Sequence, residues 1–218
     1  YFTFSKNKHN ADISFLNQSK YKNMNLFKIN IKGIIKSFLI PNELSSYKEN
    51  ILACLSIMVN YFDVKKLKKN LFLDFCIPKS RGSLINYKKN SKKLTIIDES
   101  YNSNPLSLKF ALKRFNSISA ETSKKFLLIG NMLELGKHSK KLHIKIAKYI
   151  NEVKVNKTYV FGNYAKHTFN KLKPQIKGKI LKNHMDIYKL INKDLPNNSV
   201  LMVKGSNSTG LNKIIQKL

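Results

Sequence analysis

The segment "LTIIDESYNSNPLSLKFALKRF", residues 94–115, predicts a strand, a polar loop and a helix in immediate succession. Residues 94–97 are apolar and rich in β-branched side chains, which is typical of a strand in the centre of a sheet. Asp98 and Glu99 end this strand with two adjacent carboxylates. Because ligands of open α/β sheets bind beyond the carboxyl ends of strands, these carboxylates are candidates for a functional site. The competing interpretation is a solvated strand end.

The polar loop leads directly into a helix with one buried face. Asn104 followed by Pro105 is typical of an N-cap and the first helical position. The apolar residues that follow have the i, i+3, i+4, i+7 spacing of one helical face: Leu108, Ala111, Leu112 and Phe115. The segment therefore predicts the strand, loop and helix unit from which parallel sheets are built.

The same alternation continues to the end of the chain. The predicted strands are residues 93–98, 125–130, 157–162, 178–181 and 199–205, and the predicted helices are residues 105–116, 139–151, 164–173, 185–193 and 211–218. Short apolar strands that alternate with helices predict a parallel sheet covered on both faces, which is a doubly wound α/β fold. Four strand ends are polar: residues 98–99, 130–131, 162–163 and 204–206. We expect the ligand site at this edge of the sheet.

The first 80 residues follow a different pattern. Residues 27–40 alternate between apolar and polar side chains, which predicts antiparallel strands with one exposed face. Residues 46–62 have the apolar periodicity of a helix, and residues 63–70 predict a second, short helix. A linker and a returning strand follow, so we expect a domain boundary near residues 78–91.

Composition favours a globular protein and leaves two interpretations of its charge. The chain has 218 residues, of which 42% are hydrophobic, and a formal net charge of +29. Clustered cations favour nucleic-acid binding, but only Arg81 and Arg114 are arginines, and base readers favour the bidentate arginine fork. The lysines are spread along the chain, as the codon bias of an AT-rich genome would produce. A non-catalytic, lysine-rich nucleic-acid-binding protein is the weaker alternative, and we expect no specific nucleic-acid partner.

Cysteines, histidines and the chain start add three expectations. Cys54 and Cys76 lie in apolar sequence without metal-ligand spacing, which predicts reduced core thiols in a cytoplasmic protein. The histidines also lack metal-ligand spacing, and we expect them at the surface or in helix packing: His9, His138, His143, His167 and His184. No apolar run reaches the length of about 18 residues that predicts a membrane span. The chain starts at Tyr1, so we expect a fragment of a longer protein.

Three motifs of the second half occur in a defined order: "IIDESYNSNPLSLKFAL" (96–112), "LLIGNMLELGKHSKKLH" (127–143) and "VLMVKGS" (200–206). In this order and at these separations they resemble the last domain of the Mur ligase family. The segments "FTFSKNKHNADI" and "ENILACLSIMV" in the first half resemble the same family. The resemblance implies the remainder of an ATP-binding central domain in residues 1–80. It also implies a doubly wound, mostly parallel, Rossmann-like carboxyl-terminal domain in residues 81–218.

The resemblance also implies a function, an ATP-dependent amide ligase of peptidoglycan synthesis. The most similar family member adds D-alanyl-D-alanine to UDP-N-acetylmuramoyl-tripeptide through an acyl-phosphate intermediate. The implied cofactors are ATP and Mg²⁺, and the family's phosphate loop, magnesium ligands and modified lysine would lie upstream of this chain. We therefore expect a cytoplasmic, monomeric protein that is inactive by itself. The alternative within the superfamily is another Mur-type or folylpolyglutamate-type ligase.

Nucleotide contacts carry over from the family to four positions. Asn50 corresponds to an adenine-contacting asparagine at a helix start; the alternative is a plain helix residue without contact to a ligand. Arg81 corresponds to a linker arginine, whose fork suits phosphate better than lysine does. Asp98 and Glu99 correspond to the acidic strand end that meets the nucleotide, although the family usually has aspartate where Glu99 stands.

Substrate contacts carry over to seven positions: Tyr101, Asn102, Asn104, Asn131, Glu134, Lys204 and Ser206. The first three would form a polar wall beside the dipeptide amine and the nucleotide. For Asn104 the alternative is a helix cap without contact to a ligand. Glu134 would bind the amino end of the dipeptide or a neighbouring lysine, and Lys204 would attract the carboxylate of the dipeptide. The alternative for both is a structural turn at a strand end.

Overall fold

The computed structural model describes residues 2–8, 10–89, 91–117 and 124–218. The chain divides into two compact units, Tyr1–Ile77 and Pro78–Leu218. The end of the first unit falls three residues before the end of the predicted first domain. His9, which we expect at the surface or in helix packing, lies outside the described residues.

The first unit is a four-stranded sheet with one helix. Its elements are β1 (Phe4–Ser5), β2 (Ile13–Tyr21), β3 (Met24–Ile31), β4 (Ile34–Pro41) and α1 (Lys48–Met58). The strands lie in chain order, with β1 parallel to β2 and the others antiparallel. Lys32 and Gly33, between β3 and β4, have φ angles of 53° and 84°, as a two-residue hairpin turn of this kind requires. The predicted antiparallel strands in residues 27–40 are confirmed.

The predicted helix at residues 63–70 is wrong. Only Val64–Lys66 forms a single 3-10 turn, which Asp63 caps by accepting a hydrogen bond from the Lys65 amide at 2.9 Å. Leu67 then adopts an extended conformation, with φ −64° and ψ 119°. Four lysines in this segment leave Val64 and Leu67 as its buried side chains before Asn70, which is too little apolar surface to stabilise a longer helix.

The predicted burial of the two cysteines is also wrong, since Cys54 and Cys76 are both exposed. Cys54 lies on α1 between Ile51 and Leu55, but those residues face the core and Cys54 points to the opposite side. Apolar neighbours in sequence therefore do not share its face of the helix. No helix in the described part of the chain has the length and apolar character needed to cross a membrane.

The second unit is the predicted doubly wound α/β domain. Its strands are β5 (Ser83–Lys89), β6 (Lys92–Glu99), β7 (Lys125–Gly130), β8 (Lys157–Phe161), β9 (Lys177–Leu181) and β10 (Ser199–Lys204). Its helices are α2 (Pro105–Ser117), α3 (Ser139–Asn151), α4 (Ala165–Asn170), α5 (His184–Lys189), which continues as a π-helical turn at Leu190–Asp194, and α6 (Leu211–Gln216). All the strands are parallel except β5, which pairs antiparallel with β6 at the sheet edge. Helices α2, α3 and α4 cover one face and α5 and α6 the other, each over a separate apolar cluster.

The strand order places three carboxyl ends side by side. The sheet runs β5-β6-β10-β7-β8-β9, so the last strand inserts between β6 and β7. In this register Lys204 at the end of β10 lies opposite Glu99 on β6 and Ile129 on β7. The chain thus reverses direction across the sheet at this point, which is where doubly wound folds bind ligands.

Candidate functional site

A buried ion pair occupies the carboxyl edge where β6 and β10 meet. The Lys204 side chain is only 2% exposed; its Nζ donates a hydrogen bond to the Asn102 carbonyl at 2.9 Å and lies 3.5 Å from Glu99 Oε2. Arg114 of α2 approaches the other oxygen of Glu99 at 3.9 Å. Burial lowers the pKa of Lys204 below its ordinary value, while the Glu99 carboxylate opposes this shift and the charge of Arg81 adds to it. Two predicted site residues, Glu99 and Lys204, are therefore direct partners.

Ser206 joins the loops that follow three strands. Its Oγ accepts a hydrogen bond from the Leu133 amide at 2.9 Å and lies 3.5 Å from the Ser103 carbonyl, to which it can donate. Its own amide donates to the Asn131 carbonyl at 3.0 Å. The side chain is 6% exposed. Ser206 therefore lies among the other predicted site residues and holds their loops together.

Two glycines allow these strand ends to approach each other. A Cβ atom on Gly205 would lie 2.8 Å from Leu211 Cδ1 and 3.3 Å from the Cα of Gly130. A Cβ on Gly130 would in turn lie 2.6 Å from Leu211 Cδ1. The close contact of β7, β10 and α6 at this edge therefore requires glycine at both positions.

Ser103 is a candidate site residue that the sequence prediction did not include. It is 1% exposed, and its Oγ has no hydrogen-bond partner among the described residues. An unsatisfied buried hydroxyl costs stability, which makes Ser103, in the loop between β6 and α2, a candidate contact for a ligand atom. The sequence feature that could have indicated Ser103 is its position between Asn102 and Asn104, which are both predicted substrate contacts.

Asn104 acts as a helix cap. Its Oδ1 accepts a hydrogen bond from the Ser107 amide at 2.8 Å, and Ser107 Oγ accepts one from the Asn104 amide at 3.0 Å. This reciprocal pair resembles a capping box and satisfies free amides at the start of α2. The interpretation of Asn104 as a cap is confirmed, and its contact with substrate stays a prediction.

Asn131 and Glu134 lie in the loop after β7 and differ in their surroundings. Asn131 Oδ1 accepts a hydrogen bond from the amide of Ala165, the first residue of α4, at 3.0 Å. A Cβ on Gly162, the residue after β8, would lie 2.5 Å from Asn131 Oδ1, and the φ of 107° there also favours glycine. Glu134 is exposed and has a left-handed φ of 62°, which is uncommon for a residue with a Cβ. Their roles in substrate binding stay predictions.

His143 of α3 contacts the loop after β7 through a hydrogen bond to its backbone. The ring is fully buried on α3; Nε2 accepts a hydrogen bond from the Met132 amide at 2.9 Å, and Nδ1 donates to the Ser139 carbonyl at 2.8 Å. Burial lowers the pKa of His143 below 6.5, which favours the neutral ring that this acceptor role requires. The sequence predicted packing or surface exposure and missed this specific contact.

Asp98 is buried at the carboxyl edge of the sheet, whereas Arg81 and Tyr101 are exposed there. Asp98 is 1% exposed; Oδ2 accepts from Ser80 Oγ at 2.7 Å and Oδ1 from the Ser100 amide at 3.0 Å. The Arg81 guanidinium carbon lies 4.3 Å from the centre of the Tyr101 ring. The direct contact of Asp98 with a nucleotide stays a prediction, and both its oxygens already accept hydrogen bonds from serines.

Asn50 belongs to the first unit and is described with that unit alone. It is exposed in the first turn of α1 and lines a depression of about 410 Å³. The other lining residues are Phe4, Ser5, Lys6, Asn7, Glu49 and Ala53. No group of three or more His, Cys, Asp or Glu side chains within the described ranges could hold a metal ion.

These features define an α/β domain of the ligand-binding, doubly wound type with a polar site at its switch point. A family model described as "Mur ligase, glutamate ligase domain" matches residues 85–207. The chain belongs to the Mur ligase family.

Individual relatives agree with this assignment. UDP-N-acetylmuramoyl-tripeptide--D-alanyl-D-alanine ligase of Rickettsia prowazekii is 31% identical over 176 residues, which cover 81% of this chain and 37% of that protein. The enzyme of the same name from Buchnera aphidicola of Acyrthosiphon pisum is 28% identical, over 99% of this chain and 49% of the relative. The crystal structure of the MurF ligase from Thermotoga maritima in complex with ADP superposes with a TM-score of 0.73 at 18% identity, over 99% of this chain and 47% of that one. The chain therefore spans half or less of the length of these proteins.

Proposed function

We propose that this chain is the carboxyl-terminal part of an ATP-dependent ligase that joins D-alanyl-D-alanine to UDP-N-acetylmuramoyl-tripeptide in the cytoplasm. The first unit would be the end of the ATP-binding central domain, and the second unit the domain that presents the dipeptide. The names of the relatives support the substrates. The observation that carries the proposal is the polar edge where the Ser103 hydroxyl is buried without a partner among the described residues, directly after Asn102, whose carbonyl accepts a hydrogen bond from the buried Lys204 ammonium.

The dipeptide carboxylate is the ligand group that best suits this edge. Ser103 Oγ can donate one hydrogen bond to it, and a carboxylate would satisfy the hydroxyl that the described residues leave unpaired. Lys204, whose Nζ donates to the carbonyl of the neighbouring Asn102, adds positive charge at the same place. Glu134 is the proposed partner of the amino end, with Tyr101, Asn102, Asn104, Asn131 and Ser206 forming the surrounding wall. The contribution of this domain to the reaction is to hold the dipeptide amine in position for attack.

The nucleotide is proposed to contact Asn50, Arg81, Asp98 and Glu99. Bound ATP would supply a phosphoryl group to the tripeptide carboxylate, leaving ADP. Attack of the dipeptide amine on the resulting acyl phosphate would form the amide and release inorganic phosphate and a proton. The ligands of Mg²⁺ are proposed to lie in the upstream half of the enzyme, as the family resemblance implies. We expect a monomer.

The test is an NMR titration of the purified 218-residue chain with D-alanyl-D-alanine. We expect the amide resonances of residues 102–104, 133 and 206 to shift, and L-alanyl-L-alanine to cause smaller shifts at the same concentration. Ser103→Ala should weaken dipeptide binding about 10- to 150-fold, because a hydrogen bond to a charged group contributes roughly 1.5 to 3 kcal/mol. Its free energy of unfolding should stay the same or rise, since the removed hydroxyl has no partner in the described fold.

Ser199→Ala is the matched control. Ser199 is a buried serine at the opposite end of β10, and its Oγ donates to the Pro196 carbonyl at 2.6 Å. This variant should lose stability and keep dipeptide affinity. Shifts confined to other surfaces, or equal responses to D-alanyl-D-alanine and L-alanyl-L-alanine, would contradict the proposed substrate. Equal responses would favour another Mur-type ligase.

A further inference from the structure

The backbone around Arg81 is held in an unusual conformation. Ser80, the residue before it, has a φ of 61° although it carries a Cβ, and it is 2% exposed. Gly82, the residue after it, has a φ of 96°. Residues with side chains rarely adopt left-handed angles unless the surroundings impose them. The position of Arg81 is therefore set by contacts on both of its neighbours.

Asp98 supplies those contacts. Its Oδ2 accepts a hydrogen bond from Ser80 Oγ at 2.7 Å, and its backbone carbonyl accepts one from the Gly82 amide at 2.7 Å. The Ser80 carbonyl accepts a hydrogen bond from the Tyr101 amide at 3.1 Å. Because the Arg81 guanidinium lies 4.3 Å from the Tyr101 ring centre, the arginine and the surface on which it stacks are fixed by the same two residues.

We propose that Asp98 and Ser80 are positioning residues that hold the Arg81 guanidinium over the Tyr101 ring, oriented toward an anionic group of the bound ligand. The ring accounts for one face of the planar guanidinium, and its fork of N–H donors lies in the plane, where a phosphate or carboxylate binds. The second cation of this edge is Lys204, whose charge is close enough to interact with Arg81. The identity of the ligand as a nucleotide rests on the proposed function, whereas the positioning itself does not.

Arginine side-chain NMR of the full chain tests this proposal. The sequence has only two arginines, Arg81 and Arg114, so the Nε–Hε spectrum contains two resonances. Stacking on Tyr101 should move the Arg81 Hε resonance upfield, and Tyr101→Ala should abolish that shift and so assign it. Ser80→Ala and Asp98→Asn should each remove most of the shift, since each breaks the hydroxyl to carboxylate contact.

Ser100→Ala is the matched control. Ser100 is also fully buried and also donates its hydroxyl to the Asp98 carboxylate, but to the oxygen that does not face Ser80. This variant should keep the upfield Arg81 resonance. If Ser80→Ala is folded by its backbone amide spectrum and keeps the upfield shift of Arg81 Hε, the proposal is overturned. It is also overturned if Ser100→Ala loses this upfield shift to the same extent as Ser80→Ala. If Asp98→Asn fails to fold, the Arg81 resonance of Ser80→Ala still tests whether the contact between Ser80 and Asp98 positions Arg81.

Adding ADP separates this proposal from the proposed function. A further change of the Arg81 resonance on addition of ADP, weakened in Ser80→Ala, supports both. An Arg81 resonance that is upfield and depends on Ser80 but ignores ADP supports the positioning role and counts against nucleotide binding by this chain. A wild-type resonance without any upfield shift overturns the positioning role whatever ADP does.

Discussion

Replacing Glu99 by glutamine should expose how much the buried Lys204 ammonium depends on its partner. Removing one member of a buried ion pair costs about 3–5 kcal/mol, because the remaining charge is left uncompensated. Two features reduce this cost: the closest N–O distance is 3.5 Å, and the Glu99 side chain is 16% exposed to water. Glutamine also keeps an acceptor near Lys204 Nζ. We expect the free energy of unfolding at pH 7 to fall by about 2 kcal/mol.

The loss of unfolding free energy in Glu99→Gln should depend on pH, and the pKa of Lys204 determines the direction of that dependence. Burial already lowers the pKa of Lys204 from 10.5, and Glu99 opposes this shift, so Glu99→Gln should lower it further. Between the folded pKa and 10.5 the unfolded chain binds more protons, so stability rises with pH in that window. The deficit of the variant should therefore shrink as the pH is raised from 7 toward 10.

Urea titration at pH 7 and pH 9.5, followed by the amide resonances of β10, measures these differences for the second unit. Glu152→Gln is the control, since it makes the same charge change at an exposed glutamate and should alter stability by less than about 0.5 kcal/mol. If Glu99→Gln matches this control at pH 7, or if its deficit grows with pH, the buried pair is not the stabilising contact argued above.

Four further predictions concern neighbouring residues. Asn104→Ala should lower the free energy of unfolding by about 1 kcal/mol in urea, because it removes the α2 cap. The wild-type melting temperature should fall as the pH drops below 6.5, since His143 must stay neutral in the fold, and His143→Gln should flatten this dependence. Gly205→Ala should cost about 1–3 kcal/mol in urea through overpacking against Leu211. In an enzyme completed with its upstream half, Arg81→Lys should lower kcat/KM for ATP and keep the urea midpoint, because lysine retains the charge and loses the fork.

Local patterns were enough to predict the second unit. The helix at residues 139–151 and the strand at residues 125–130 coincide with the observed α3 and β7, because their apolar periodicity matches the face that they bury. The polar edge could be predicted for the same reason, since polar residues directly after buried strands must end at one side of a parallel sheet. In the first unit, β2 escaped prediction because residues 17–21 of this strand are exposed and polar.

Contacts across the chain could not be predicted. The pairing of Glu99 with Lys204 depends on β10 inserting between β6 and β7, which no local pattern reveals. The acceptor role of His143 toward Met132 likewise depends on how α3 packs beneath the loop. The left-handed conformation of Ser80 also depends on residues distant in sequence, since its hydroxyl donates a hydrogen bond to the Asp98 carboxylate.

The proposal that this chain is part of a D-alanyl-D-alanine-adding ligase is tested most directly by phosphate release from ATP. The upstream half of the Rickettsia prowazekii relative would be fused to this chain, with the intact relative as the reference enzyme. We predict phosphate release that requires both UDP-N-acetylmuramoyl-tripeptide and D-alanyl-D-alanine, and none from the 218-residue chain by itself. Phosphate release by the isolated chain, or a folded fusion that binds both substrates and shows no release dependent on the dipeptide, would contradict the assignment.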